Sequence, residues 1–288
     1  MIDFAPRSFL FLRRERRLSL IVLAVGLAAL IVPTFYQIGK VSWSTEQGAH
    51  GPIVLATGLW LIVRNFSATR ASARSGSVLV VTLLTIPFLA LYVLAHVTGI
   101  IEIEGAALYA LLITTAYAFF GPVVIGRLWF PILYLGFIFP PPNSLVTAVT
   151  QPLKVWISKI AASLLYQAGL PTASSGVMIY IAQYQLLVAQ ACSGLNSLIS
   201  LTAIGLFYVY IRHSLHWRYA ALLALGIIPI AIAANLVRVI LLILITFWFG
   251  DGVAQGFVHD FAGLTMYAIA LASVLALDGL LRRIPAFK

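Results

Sequence analysis

Three residues, far apart in the chain, carry side chains that could do covalent chemistry together: Cys192, Arg238 and His259. Cys192 is the single cysteine of the chain, so no internal disulfide can form. It stands in VAQACSGLNSL, where a polar patch gives way to a long apolar run. A lone cysteine in an apolar protein usually packs as a small hydrophobe. It becomes a nucleophile only as the thiolate, which a helix N-terminus favours through its macrodipole. His259 could take the thiol proton and return it to a leaving amine. Arg238 could stabilise the thiolate or the oxyanion of a tetrahedral intermediate. An arginine at mid-span costs roughly 2.5–3.5 kcal/mol even on the permissive insertion scale, and packing alone does not ask for one. Asn235 shares a helix face with Arg238 at i, i+3 and could orient one of the others. Gly194 and Gly263 allow close backbone approach. Asp260 adjoins His259, but neighbouring residues do not face each other on a helix, so it is not read as a third member.

What must position these residues is a membrane fold. Hydrophobic residues make up 62% of the 288-residue chain and charged residues only 9%, with a mean hydropathy of +1.04. A soluble domain averages about 25% charged residues, so lipid is the solvent here. The expected fold class is an all-α integral membrane protein, with residues 1–288 forming a single multi-span membrane domain. Eight spans are expected, at about 18–38, 51–64, 76–96, 105–125, 127–140, 194–211, 219–249 and 257–281. Pro229 is expected to kink the seventh. The run from Leu18 is longer than the core of a signal peptide, so it is expected to stay as the first helix.

The net charge of +10 reads as topology, and nucleic acid is not an expected partner. With the N-terminus in the cytoplasm, 14 of the 18 basic residues fall in cytoplasmic segments; Lys40, Lys154 and Lys159 fall outside and Arg238 lies within a span. Both termini are then cytoplasmic. Glu46, Glu102, Glu104 and Asp251 fall on the far side. Cys192 and His259 lie at outer ends of their spans. Arg238 is eleven residues from the outer end at Phe249, roughly 16 Å, within reach of a snorkelling side chain.

One long extracytoplasmic segment, 141–193, leads into the nucleophile. Its residues 144–167 read as an amphipathic helix on the membrane surface. Lys154, Ser158 and Lys159 are expected near one face, with Val155, Trp156, Ile160 and Leu164 on the other. GVMIYIAQYQLLVAQ then suggests a short hairpin on the outer side.

ACSG at 191–194, NLVR at 235–238 and HDFAG at 259–263 together resemble the exosortase/archaeosortase family of membrane cysteine transpeptidases, whose pattern is A-C-S-G, N-x-x-R and H-x-x-x-G near outer span ends. AHG at 49–51 and the PPPN…TQPLK stretch are also similar to the family. Many relatives have an acidic residue where Gln190 stands and a basic one where Asn196 stands, so the recognised tail motif is left open. The resemblance implies Cys192 as nucleophile, Arg238 and His259 completing the site, and Asn235, Ser193, Gly194 and Asn196 supporting it. It implies no cofactor and no metal. Its substrates would be membrane-anchored exported proteins with a C-terminal sorting tail of short motif, membrane helix and basic cluster, in an exopolysaccharide-associated setting. The acyl acceptor is unknown. The enzyme would work at the periplasmic face of a bacterial inner membrane. Other readings are a transporter or channel with Arg238 as substrate ligand, a serine hydrolase using Ser193 or Ser197 without the usual elbow, and a non-catalytic scaffold for polysaccharide export.

Overall fold

The computed structural model describes residues 7–45, 48, 50–187, 197–213, 217–250, 252 and 257–283, with the side chains of 7–16, 143, 187, 197–198, 213, 217, 257–264 and 267 left out. In chain order the helices are α1 (Arg7–Val41), α2 (Gly51–Thr69), α3 (Val78–Thr98), α4 (Ile101–Arg127), α5 (Trp129–Leu135), α6 (Asn143–Gln167), α7 (Ser197–His213), α8 (Trp217–Phe249) and α9 (Phe257–Leu281). Between α6 and α7 lie three strands, β1 (Thr172–Ser175), β2 (Met178–Ile181) and β3 (Tyr184–Leu187).

Among the described residues, five stretches are long and apolar enough to cross a membrane: Arg17–Val41, Gly51–Ser72, Val78–Thr98, Ile101–Arg127 and Arg218–Phe249. Their outer faces carry large apolar side chains in the open, such as Val78 at 80% and Val97 at 78% exposure. Such flanks suit contact with lipid tails rather than water. The chain is thus a multi-pass, mainly helical membrane protein. Eight full spans is a finer count than these five stretches support. The segment expected at 127–140 forms α5 and a 3-10 turn, Gly136–Ile138. Ten residues of helix rise about 15 Å, half a bilayer core. This short piece is wedged between α2 and α7, where Phe130, Tyr134, Leu135 and Ile138 pack with Val54, Leu61 and Ala203. Gly58 allows the approach, since a Cβ there would meet the Leu135 side chain at 2.4 Å.

The expected hairpin is present as β2 and β3, antiparallel with Met178 opposite Leu187 and Ile181 opposite Tyr184. A third strand joins it: β1 pairs with β2, Thr172 opposite Ile181. The faces expected for α6 are corrected. Ile157, Ser158, Ala161 and Leu165 are buried, while Trp156 and Leu164 are about half exposed. Ser158 is accommodated on the buried side because its hydroxyl donates to the Lys154 carbonyl at 2.8 Å. That face packs on the sheet and on α8, joining Ile179 and Ile181 to Val239 and Ile243. Pro229, where a kink is expected, lies within α8, which remains one helix from Trp217 to Phe249.

The helix ends gather into two groups. At one end Arg127 donates to the Ser72 hydroxyl at 3.0 Å and Asn65 to the Tyr210 hydroxyl at 2.9 Å; Arg64, Arg70, Arg74, Arg212, Arg218 and Arg282 stand at this end too. At the other, the C-terminus of α1 and the N-termini of α2, α4, α6 and α7 surround one pocket. There Glu104 is buried at 4% exposure. It accepts a bond from the Thr34 hydroxyl at 2.6 Å and faces His96 at 3.3 Å.

Candidate active site

Arg238 lies on α8, the middle helix of three. One face of α8 carries Ala231, Ala234, Asn235 and Arg238, spaced three and four apart. Ala231 and Ala234 pack in one cluster with Leu201 of α7 and with Met266 and Ala270 of α9. Asn235 is fully buried and Arg238 is 4% exposed; each has an interaction partner. The arginine is therefore held inside the protein rather than towards lipid. The helix that follows Cys192 and the helix that contains His259 both pack against the helix that contains Arg238.

The opposite face of α8 is closed by α6 and the sheet. Ile232, Leu236, Val239, Ile243 and Phe247 pack against Ile157, Ala161, Leu165, Ile179 and Ile181. Strand β3 runs beside α8 and ends at Leu187, five residues before Cys192; α7 begins at Ser197, five residues after it. Chain length keeps Cys192 within about 18 Å of both. The C-terminus of α8 is capped by Gly250 in the left-handed region, φ 84°, whose N–H returns to the Thr246 carbonyl at 3.0 Å.

Cys192, Ser193, Gly194 and Asn196 lie outside the described residues, as does the His259 side chain. The backbone of His259 is in the first turn of α9. Met266, seven residues later, packs with Ala234. His259 is thus roughly 10 Å along α9 from that shared level, and Arg238 roughly 6 Å along α8 from it. The two helices are antiparallel, so both displacements point to the same end. The remaining offset of about 4 Å is shorter than an arginine side chain.

Sequence reasoning missed a buried histidine in this region. His50, at the start of α2, is 9% exposed. Its Nε2 is 3.1 Å from the Phe137 carbonyl and its Nδ1 is 2.8 Å from the Ser200 hydroxyl on α7. A carbonyl only accepts, so Nε2 donates to Phe137, while the Ser200 hydroxyl can either donate to Nδ1 or accept from it. His50 thereby ties α2, the turn after α5 and α7 together. His50 stands in the AHG stretch at 49–51, yet its pairing across 150 positions left no local signal.

Residues 43–276 match the family model of transmembrane exosortases (Exosortase_EpsH). No curated protein and no solved structure matches the chain.

Proposed function

Because the chain belongs to the transmembrane exosortase family, we propose that it is a membrane cysteine transpeptidase that processes exported proteins bearing a C-terminal sorting tail. In this reading the substrate's tail helix packs laterally among the spans. The Cys192 thiolate attacks the carbonyl at the recognition motif, and the tetrahedral oxyanion is stabilised by Arg238. His259 takes the thiol proton and passes it to the leaving amine. The tail departs, leaving a thioester on Cys192, and an acceptor nucleophile or water resolves it. Asn235, three residues from Arg238 on the same buried face, orients one of the other reacting groups. Ser193, Gly194 and Asn196 shape the backbone around the thiolate. The cleavage occurs at the periplasmic face of a bacterial inner membrane, with both termini in the cytoplasm.

The observation that supports this reading most is the packing of α7, α8 and α9 around a buried Arg238. A guanidinium buried in an apolar bundle is costly, and its retention there points to a site. Co-expression with a tagged, tail-bearing protein tests the reading. Cys192→Ala should abolish tail removal, with the variant still present in the membrane at the wild-type level. Processing that continues unchanged in Cys192→Ala would overturn it. Cys192 should also react with a membrane-impermeant thiol reagent from the outer side of the membrane.

A further inference from the structure

The basic end of the bundle takes no part in the chemistry above. There the residues that join α2 to α3 cross over the last turns of α4. α4 is broken at Gly121, φ 74° and ψ 178°, and Pro122 has no N–H, so the Ala118 carbonyl loses its helical partner. That carbonyl accepts from the Gly76 N–H at 3.1 Å, and the Phe120 carbonyl accepts from the Arg74 N–H at 3.2 Å. A Cβ at position 121 would meet the Arg74 carbonyl at 2.2 Å, so so close a crossing needs glycine there. Arg127, in the last turn of α4, donates to the Ser72 hydroxyl at 3.0 Å. Ser72 is two residues from Arg70 and two from Arg74, so their Cα atoms lie within about 7 Å of its own. Three exposed guanidinium groups are thereby gathered at one fixed crossing. We propose that Arg70, Arg74 and Arg127 bind the headgroup phosphate of an anionic phospholipid in the leaflet at this end. The inference goes beyond the proposed function and does not depend on Cys192.

Charge and residue type both support it. The sequence has no acidic residue from 47 to 101 and none from 105 to 250, so the arginines of the crossing have no carboxylate near them in the chain. Asp278, the described acidic residue at the same end, is taken up by Tyr208, Tyr219 and Arg282. The patch therefore asks for an anion from outside the protein. Every described basic residue at this end is an arginine, whereas Lys40, Lys154 and Lys159 stand on α1 and α6. Membrane topology counts lysine and arginine alike, so it does not account for that choice. A guanidinium grips a phosphate with two parallel hydrogen bonds, which an ammonium cannot do.

The flanks of the crossing point to a lipid rather than a free phosphate. Val78 and Leu79, directly after it on α3, are exposed, as are Phe119 and Val123 beside it on α4. Trp129, two residues after Arg127, is exposed too, as an aromatic ring at headgroup level is. A phosphate held by the arginines thus has apolar side chains next to it, along which acyl chains can lie. Basic groups at the membrane end of a helix bundle recognise anionic headgroups in this way.

Purified full-length protein in a neutral detergent tests this by native mass spectrometry. It is titrated with phosphatidylglycerol or with phosphatidylcholine of the same acyl chains, and the dissociation constant of the first lipid bound is read for each. A basic group beside an anionic headgroup is worth on the order of fivefold, so the wild type should favour phosphatidylglycerol by about tenfold or more. The triple variant Arg70→Gln, Arg74→Gln, Arg127→Gln should bring that preference to within about twofold of none. Replacing the same three by lysine keeps the charge and the insertion signal and should cost about threefold. Arg212→Gln with Arg218→Gln removes two charges from the same end outside the crossing, and should leave the preference within about twofold of wild type. No preference in the wild type overturns the site. So does an equal fall in the two glutamine variants, which is the mark of a diffuse surface charge. If the triple glutamine variant fails to insert, the lysine variant decides, and no loss there overturns the site. Glycerophosphoglycerol, the same headgroup without acyl chains, should not bind at the concentrations where the lipid does; equal binding would mean a free-phosphate site and overturn the lipid.

Discussion

The three helices α7, α8 and α9 handle buried polar residues in opposite ways at their two ends. At the end where α8 begins, Asp278 of α9 is 3% exposed. It accepts hydrogen bonds at 2.6 Å from the hydroxyls of Tyr208 on α7 and Tyr219 on α8, and from Arg282 one turn further along its own chain. Each helix contributes, and the carboxylate is surrounded by donors. This knot is a fastening, since its polar groups satisfy one another. Arg238 is nineteen residues along α8 from Tyr219, roughly 28 Å away. There the buried polar side chains, Asn235 and Arg238, share one face of the middle helix and are directed at the helices that contain or follow His259 and Cys192. One end is closed by its own chemistry; in the proposed function the other holds its polar groups for a reaction.

That contrast can be broken from either side. The largest expected effect on processing comes from Arg238→Met, which should slow tail removal about 10²–10³-fold if the guanidinium supports an oxyanion. Arg238 leaves an interaction partner behind, so the unfolding temperature in detergent should fall, but by less than the lost activity requires. A fall in stability that accounts for the lost activity would make Arg238 a fastening too. Asp278→Ala should act in reverse. Removing the carboxylate takes the acceptor from the Tyr208 hydroxyl and leaves Tyr219 with the Asp278 backbone carbonyl, while the exposed Arg282 stays solvated, at a cost of about 1–3 kcal/mol of stability. Processing by the folded fraction should stay within a few-fold of wild type at low temperature. Tyr219→Phe is the finest probe. It removes one hydrogen-bond donor and should lower stability by about 1 kcal/mol, read as a small shift in unfolding temperature with processing unchanged.

Much of the fold was legible because apolar length is a strong signal. The first, third, fourth and seventh expected spans correspond to α1, α3, α4 and α8 within a few residues. Of the basic residues counted to one side, Arg64, Arg70, Arg74, Arg127, Arg212, Arg218 and Arg282 stand together at one end of the bundle. α5 was misjudged in length because an apolar run reads the same whether lipid or protein covers it. The sequence 127–140 is apolar throughout, yet α5 ends after seven residues and a 3-10 turn follows, packed on Val54 and Leu61. The faces of α6 were misread for a related reason. Ser158 is polar in sequence but buried, because it bonds the carbonyl four residues back. Trp156 is apolar but exposed.

The candidate site divides along the same line. That Cys192, Arg238 and His259 are the residues with chemistry to offer follows from residue type, since a lone thiol and a mid-span arginine stand out against an apolar background. The expectation that they share a level along the bundle follows from length and charge counting. Which face of α8 turns to α7 and α9, the pairing of His50 with Ser200, the knot around Asp278 and the gathering of Arg70, Arg74 and Arg127 at one crossing come from tertiary structure alone. In water, a helix marks its inner face by being apolar there and polar elsewhere. In lipid both faces are apolar, so that mark is lost, and helix contacts are chosen by side-chain fit and by hydrogen bonds between segments far apart in the chain.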